Sequence, residues 1–403
     1  MSKTVAILGA GFGGLSAALE FAQLKKKLST DEQFEVVLID KNGYQLFTPD
    51  LYEIASASRE ITSEEQLKET ICLNVSVALG QKSITFLKAE VTGVDTSKQI
   101  VSTSKKDVKY DYLLVALGSE SFYFGIPGMK ENSIGLKQIN EATEIRSTIH
   151  KLVEKKDNVH VLVCGGGPAG VELAAEMRIA CKNSTTGTCP AITIVEGQST
   201  ILAPFPVKVQ KKVTQRMKVL GVKLKTNFFI AKAEPGKVTS KEGEELSGDL
   251  IVWTGGVTAS TLLGSTGLQL TKKGQLPTQQ TLQTIEMENV FAVGDAAETH
   301  IGEEFCPMTG HEAIEQGPVA ARNILHHMHG EQMELYRLKK VGYVITMGGK
   351  HGIVSFQDKI ILTGFIGWAA RKWIDFKHFR SVLPFMRACS VWYKGVTIMS
   401  KND

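Results

Sequence analysis

The stretch Val5-Ala6-Ile7-Leu8-Gly9-Ala10-Gly11-Phe12-Gly13-Gly14 decides the fold. Val159-His160-Val161-Leu162-Val163, followed by Gly165-Gly166-Gly167-Pro168-Ala169-Gly170, repeats it. In each, an apolar run of β character meets a glycine cluster. A helical pattern follows, through Leu24 in the first and through Glu176 in the second. Each then enters a second apolar run with an acid at its end: Val36 to Ile39 before Asp40, and Ile192 to Val195 before Glu196. Strand, glycine turn, helix, strand and acid make a nucleotide-binding unit, and its repetition predicts two such domains.

The chemistry of a dinucleotide explains the spacing. A pyrophosphate carries negative charge and needs close backbone N–H groups at a helix N-terminus. The first glycine (Gly9, Gly165) permits the tight turn, the second (Gly11, Gly167) leaves room for phosphate, and the third (Gly14, Gly170) lets helix pack on strand. Asp40 and Glu196, each about 26 residues past its last glycine, stand where a carboxylate accepts hydrogen bonds from a ribose. One such loop is a weak signal; two complete units predict two bound dinucleotides. Glu196 is followed by Gly197-Gln198-Ser199 with no arginine. A carboxylate there suits a 2′-hydroxyl and repels a 2′-phosphate, which favours NADH over NADPH.

Outward from these units, 403 residues exceed what one hydrophobic core fills, so two or three domains are expected. Hydrophobic content of 43% and charged content of 22% are those of a globular chain. A net charge of +4 is too small to point to nucleic acid. The opening Met1-Ser2-Lys3-Thr4 shows no leader, and no charge-free run of roughly 18 apolar residues exists to span a bilayer. Cys72, Cys164, Cys181, Cys189, Cys306 and Cys389 are scattered with no C-x-x-C. They read as reduced thiols of a cytosolic, metal-free protein.

Further runs of β character are Ser83 to Leu87, Tyr112 to Ala116, Leu250 to Trp253 and Val290 to Val293. With no low-complexity linker between the units, the second domain is expected to be set within the first. The fold class is therefore α/β: two Rossmann-like dinucleotide-binding domains plus a C-terminal amphipathic region.

With these motifs in place, the chain resembles the two-dinucleotide-binding-domain flavoproteins, and within them the type II NADH:quinone oxidoreductases, over nearly its whole length. Tyr110 to Ser119 is similar to the crossover strand from the FAD domain, with Leu117 where Thr is usual. Val290-Phe291-Ala292-Val293-Gly294-Asp295 is similar to the second FAD motif, whose acid bonds the ribityl and pyrophosphate region. The resemblance assigns the first loop to FAD and the second to NADH. It implies a discontinuous FAD domain (1–120 and 255–330), an inserted NADH domain (121–254) and a membrane-associating region (331–403).

Tyr44 to Glu53 resembles the family segment that lies against the flavin, and Pro168 to Glu176 is nearly the family's wording. The cofactor contacts this implies are Gly9, Gly11, Phe12, Gly13, Gly14, Asp40, Lys41, Thr48, Pro49, Ala116, Gly118, Gly294, Asp295 and Ala313 on the FAD side. On the NADH side they are Gly165, Gly167, Pro168, Ala169, Gly170, Glu196, Gly255 and Gly256. Glu172 takes the place of an acid beside nicotinamide and flavin; the first helical turn favours a carboxylate there in any case. The family's two Gln near the quinone are replaced by His311 and Glu315, whose i,i+4 spacing puts them on one helix face as a proton-donating pair. Val341 stands where many members carry Lys.

The tail from Gly364 interleaves Trp368, Trp373, Phe376, Phe379, Phe385 and Trp392 with Arg371, Lys372, Lys377, Arg380 and Arg387. That pattern predicts basic amphipathic helices lying in a lipid interface, with a homodimer as a second use of the apolar face. The implied activity is hydride transfer from NADH to FAD, then two electrons to a membrane quinone at the cytoplasmic face, with no metal and no proton pumping. A sulfide:quinone oxidoreductase needs two cysteines facing the flavin, and a disulfide reductase needs a vicinal pair. The former, or another acceptor for NADH, is the alternative.

Overall fold

A computed structural model describes residues 3–28, 34–181, 189–339, 342–356 and 360–402. Met1, Ser2 and Val341, used above, lie outside the described residues.

The first unit is a five-stranded parallel sheet. Its order is Val290–Ala292, Tyr112–Val115, Thr4–Leu8, Glu35–Asp40 and Thr85–Lys88. Its strands are continuous apolar runs because both faces are covered: Val5, Ile7, Leu8, Leu38 and Leu114 are fully buried. Helix α1 (Phe12–Lys25) leaves the glycine turn, and a short helix α2 (Leu51–Ser56) follows the second strand and its acid.

Helix α3 (Ile139–Lys155) leads into the second sheet, ordered Ile134–Gly135, Leu250–Trp253, His160–Cys164, Ala191–Val195 and Lys223–Lys225, again all parallel. Helix α4 (Pro168–Ala180) leaves its glycine turn. Four strands of each sheet follow the same order, and only the outermost differs in origin. In the first it comes from the chain after the second sheet, and in the second from the chain before His160. All five strands of the second sheet therefore fall between two adjacent strands of the first, which is the insertion the sequence predicts.

Helix α5 (Gly310–His329) packs along α1, and helices α6 (Phe365–Val382) and α7 (Phe385–Asn402) close the chain. Among the described residues no helix is long and apolar enough to cross a membrane.

One expectation is corrected. Cys181 and Cys189 form a disulfide rather than two free thiols. Cys181 caps the end of α4 and Cys189 precedes the strand beginning at Ala191, so the helix-to-strand connection closes on itself. Cys72, Cys164, Cys306 and Cys389 are free.

Candidate active site

The two glycine loops are built on the same backbone plan. Gly9 and Gly165 have φ of +96° and +125°, which L side chains rarely adopt. A Cβ on Gly14 would lie 1.9 Å from the Gly9 carbonyl oxygen, and one on Gly170 would lie 2.0 Å from that of Gly165. Gly11 and Gly167 instead have nothing within 4 Å of a Cβ, the open space a phosphate needs at the helix start. Asp40 accepts from the Ala10 and Asn42 N–H groups, both at 2.7 Å. Glu196 does the same with Gly166 at 2.7 Å and Gln198 at 2.8 Å. Each acid thereby ties the glycine turn to the end of its second strand. Burial raises the Asp40 carboxyl against these bonds.

A cleft of about 300 Å³ opens at the first loop. It gathers Gly9, Gly11, Phe12, Gly13, Asp40, Thr48, Ala116, Gly118, Gly294, Asp295 and Ala313 from separate stretches of the chain. Gly14 supports it from inside the helix–strand contact, while Lys41 lines an adjoining cleft of about 520 Å³. Pro49 gives its carbonyl to Arg371 at 2.9 Å. Open backbone at Gly11, N–H donors at a helix N-terminus and an accepting strand-end carboxylate are the groups that suit a dinucleotide. Asp295 accepts from Ser119 Oγ at 2.5 Å and lies 3.7 Å from Lys137 Nζ; Gly294 N–H donates to Gln316 Oε1 at 2.6 Å. Ser119, Lys137 and Gln316 were not among the expected cofactor contacts. Ser119 had a signal, being next to Gly118.

At the second loop, Pro168 and Ala169 are exposed on the first turn of α4. Gly255 packs against the Trp253 ring and Gly256 against Phe124.

Glu172 lies about one turn further along α4, just past its first turn. It is 7% exposed, accepts from Thr346 N–H at 3.1 Å and Thr346 Oγ1 at 3.2 Å, and faces Arg371 Nη1 at 3.5 Å. Arg371 in turn donates to Asp50 Oδ1 at 2.7 Å and Asp375 Oδ1 at 2.9 Å. Lys372 donates to Glu53 Oε1 at 2.6 Å. The result is one buried cluster of carboxylates from α2, α4 and α6 and their edges, bridged by two cations. Burial pushes Glu172 up to about 7, against the pull of Arg371. It pushes Glu53 up to about 8 against Lys372, and Asp375 up to about 6 with Asp50 adding to the rise.

This cluster corrects the reading of the tail. Arg371 and Lys372 are buried, not part of a lipid-facing basic face. α6 turns Arg371 and Lys372 inward toward acids that would otherwise be buried without a counter-charge, with Asp375 between them and His378 turned onto Gln45 and Phe47. It leaves Phe365, Ile366, Trp373 and Ile374 exposed, with Lys377 and Arg380. Asp50 and Glu53 sat in the quoted Tyr44–Glu53 segment. Their partners are 321 and 319 residues further on, so sequence gave no sign of the pairing.

His311 and Glu315 both lie on α5 as expected. Glu315 is bonded to Lys339, while His311 Nε2 is buried with no hydrogen-bond partner among the described residues. Neither lines the first cleft, whereas Thr309, Gly310 and Ala313 do. Cys164 is fully buried in its strand and Cys306 half-buried, and burial raises both thiols, to about 12 and about 11. Neither is an exposed thiolate poised for sulfide chemistry.

The family described as pyridine nucleotide-disulphide oxidoreductase matches residues 3–317. A type II NADH:quinone oxidoreductase of Staphylococcus aureus (strain NCTC 8325 / PS 47) is 30% identical across 92% of this chain and 98% of its own. One of Haemophilus influenzae is 27% identical across 89% and 88%. A structure of NDH2 from Plasmodium falciparum in complex with NADH shares the fold, with a TM-score of 0.83, 18% identity and 98% of each chain covered. The sulfide:quinone oxidoreductase of Aquifex aeolicus shares it less closely, with a TM-score of 0.76 at 18% identity over 94% and 90%. The chain belongs to the pyridine nucleotide-disulphide oxidoreductases, and within them to the type II NADH:quinone oxidoreductases.

Proposed function

We propose that this chain is an FAD-dependent NADH:quinone oxidoreductase that carries two electrons from NADH to a membrane quinone without pumping protons. The observation that carries the reading is the duplicated loop, in which two helix N-termini, two open glycines and two strand-end acids recur with matching hydrogen bonds. The first sheet (1–120 and 255–330) takes FAD, and the inserted one (121–254) takes NADH.

FAD, when bound, supplies a two-electron carrier between the two substrates. The chain's own groups hold and orient it. Asp40 and Glu196 would meet the two riboses, and Asp295 would help to hold the flavin nucleotide. Glu172, on the second turn of α4, has a carboxyl near 7 and can hold or release a proton at neutral pH. Reducing a quinone with one hydride needs one further proton, and Glu172 is the group we assign to handle it, on the support of its raised carboxyl. Of the other two candidates, His311 with its free Nε2 is better suited to acceptor chemistry than Glu315, which Lys339 neutralises.

Residues 331–403 seat the protein on the cytoplasmic face of a membrane. The support is the apolar face of α6 and the start of α7: Phe365, Ile366, Trp373, Ile374, Phe385 and Met386 are all exposed, with Lys377, Arg380 and Arg387 beside them. A homodimer would cover part of the same face.

Stopped-flow spectroscopy tests the reading. The purified protein is expected to be yellow, to bleach faster with NADH than with NADPH, and to be reoxidised by a quinone. Glu196→Ala should narrow the gap between nucleotides. Equal bleaching by both nucleotides in the unsubstituted protein, or no reoxidation by any quinone, overturns it.

A further inference from the structure

Three charged side chains line the first cleft: Asp40, Asp295 and Lys137. Lys137 is the one cation among them, and it does not come from the first sheet. It sits between the strand Ile134–Gly135, paired to the second sheet, and the start of α3. Its backbone is fixed there. Lys137 N–H and Gln138 N–H both donate to Glu141 Oε2 at 2.7 Å, the capping arrangement of α3. From this anchor the side chain reaches back into the cleft of the other unit, where it is 24% exposed and its Nζ stands 3.7 Å from Asp295 Oδ2.

That separation is longer than the 2.7–2.9 Å usual for a charge-assisted hydrogen bond. Among the described residues the ammonium makes no hydrogen bond at all, while Asp295 already accepts from Ser119. The cleft thus holds a half-buried cation with three free donors beside a carboxylate. With both acids ionised, the lining carries a net charge of −1. A ligand bringing a diphosphate next to Asp295 would add like charge, which desolvation makes costly unless a cation stands between.

We propose that Lys137 is a cofactor-positioning residue whose ammonium engages the diphosphate of the flavin nucleotide and shields it from Asp295. The inference rests on the reading of the first cleft as the FAD site. It also makes that site depend on a residue carried by the inserted unit.

The full-length chain, freed of flavin, is titrated with FAD and with riboflavin, which has no phosphate. Lys137→Met is expected to bind FAD about tenfold more weakly, the loss of one charge-assisted contact, with riboflavin affinity unchanged. Its FAD affinity should also depend less on salt than that of the unsubstituted chain. Lys137→Arg should recover most of the loss, and Lys137→Gln repeats the charge removal with a polar side chain. Unchanged FAD affinity in the Met and Gln variants overturns the inference, as do equal losses for FAD and riboflavin. An unsubstituted chain that takes up no FAD overturns the flavoprotein reading and this inference with it.

Discussion

At the two glycine loops the backbone does the holding; in the cluster around Arg371 the side chains do. Each loop needs a positive φ, a contact too close for a Cβ and a strand-end acid, all within the 32 residues from Gly9 to Asp40 or from Gly165 to Glu196. The cluster needs Asp50 and Glu53 near the start of the chain, Glu172 in the middle, and Arg371, Lys372 and Asp375 close to the end. A loop is therefore local and tolerant of what surrounds it. The cluster is a tertiary object, stable only while all its members are present, because each buried charge is offset by others.

The largest expected effect comes from breaking the loops one at a time. Gly170→Ala would put a Cβ 2.0 Å from the Gly165 carbonyl oxygen, and Gly14→Ala one 1.9 Å from that of Gly9. Overpacking of this kind costs typically about 1–3 kcal/mol, enough to weaken nucleotide binding by roughly a hundredfold. If the loops have the separate roles proposed, Gly14→Ala should lose its flavin absorbance. Gly170→Ala should stay yellow but require far more NADH to bleach. Loss of flavin from both variants, measured as absorbance per mole of purified protein, would contradict the division of labour.

The same contrast explains what could be read in advance. The loops, their helices and both strand-end acids were legible because their physics is written in adjacent residues. The insertion was legible because the motif recurs before the first sheet is complete. The position of α6 was not. Interleaved basic and aromatic residues predict cations facing lipid headgroups, and nothing near Arg371 or Lys372 in sequence announces Asp50 or Glu53. Charge pattern alone assumes that a cation seeks water, whereas here acids on α2 and just before it draw two of them inside. The Cys181–Cys189 bond was missed for a similar reason, since its spacing matches no known framework. The His311–Glu315 pair rested on the family resemblance and on i,i+4 spacing, which gives a shared face but cannot show that Lys339 competes for Glu315.

An intermediate effect is expected from removing a single cation from the cluster. Arg371→Met leaves Asp50, Asp375 and Glu172 without their shared guanidinium. Breaking a buried ion pair from one side costs about 3–5 kcal/mol. Urea unfolding of the flavin-loaded protein at pH 7.5 should show a loss of this order, larger than that of Lys377→Met on the exposed side of the same helix. If the two variants unfold alike, the cluster contributes no more to stability than a surface charge.

The smallest effect is a change in the pH dependence of stability, and its sign follows from burial. Glu53 is pushed up to about 8, whereas an unfolded glutamate titrates near 4.5. Desolvation is the first cause, with Lys372 opposing it and Asp50 and Glu176 adding to it. A carboxyl raised on folding holds its proton more tightly in the native state. Its contribution to stability is fully present below about 4.5, declines as pH rises through the interval, and is lost above about 8. Glu172, raised to about 7, and Asp375, raised to about 6, act in the same direction within narrower windows. Stability should therefore fall between pH 5 and pH 8.5, where a chain rich in exposed ion pairs would be nearly flat. Glu53→Gln keeps the shape and a hydrogen-bond acceptor for Lys372 but removes the titration, so its melting temperature should decline less over that range. Lys372 itself does not obscure the test, since burial is outweighed there by Asp50 and Glu53 and its titration moves further above the window. Melting curves of both proteins at half-unit steps of pH decide the matter. Parallel declines would mean that Glu53 stays ionised in the fold, and that Lys372 compensates it completely.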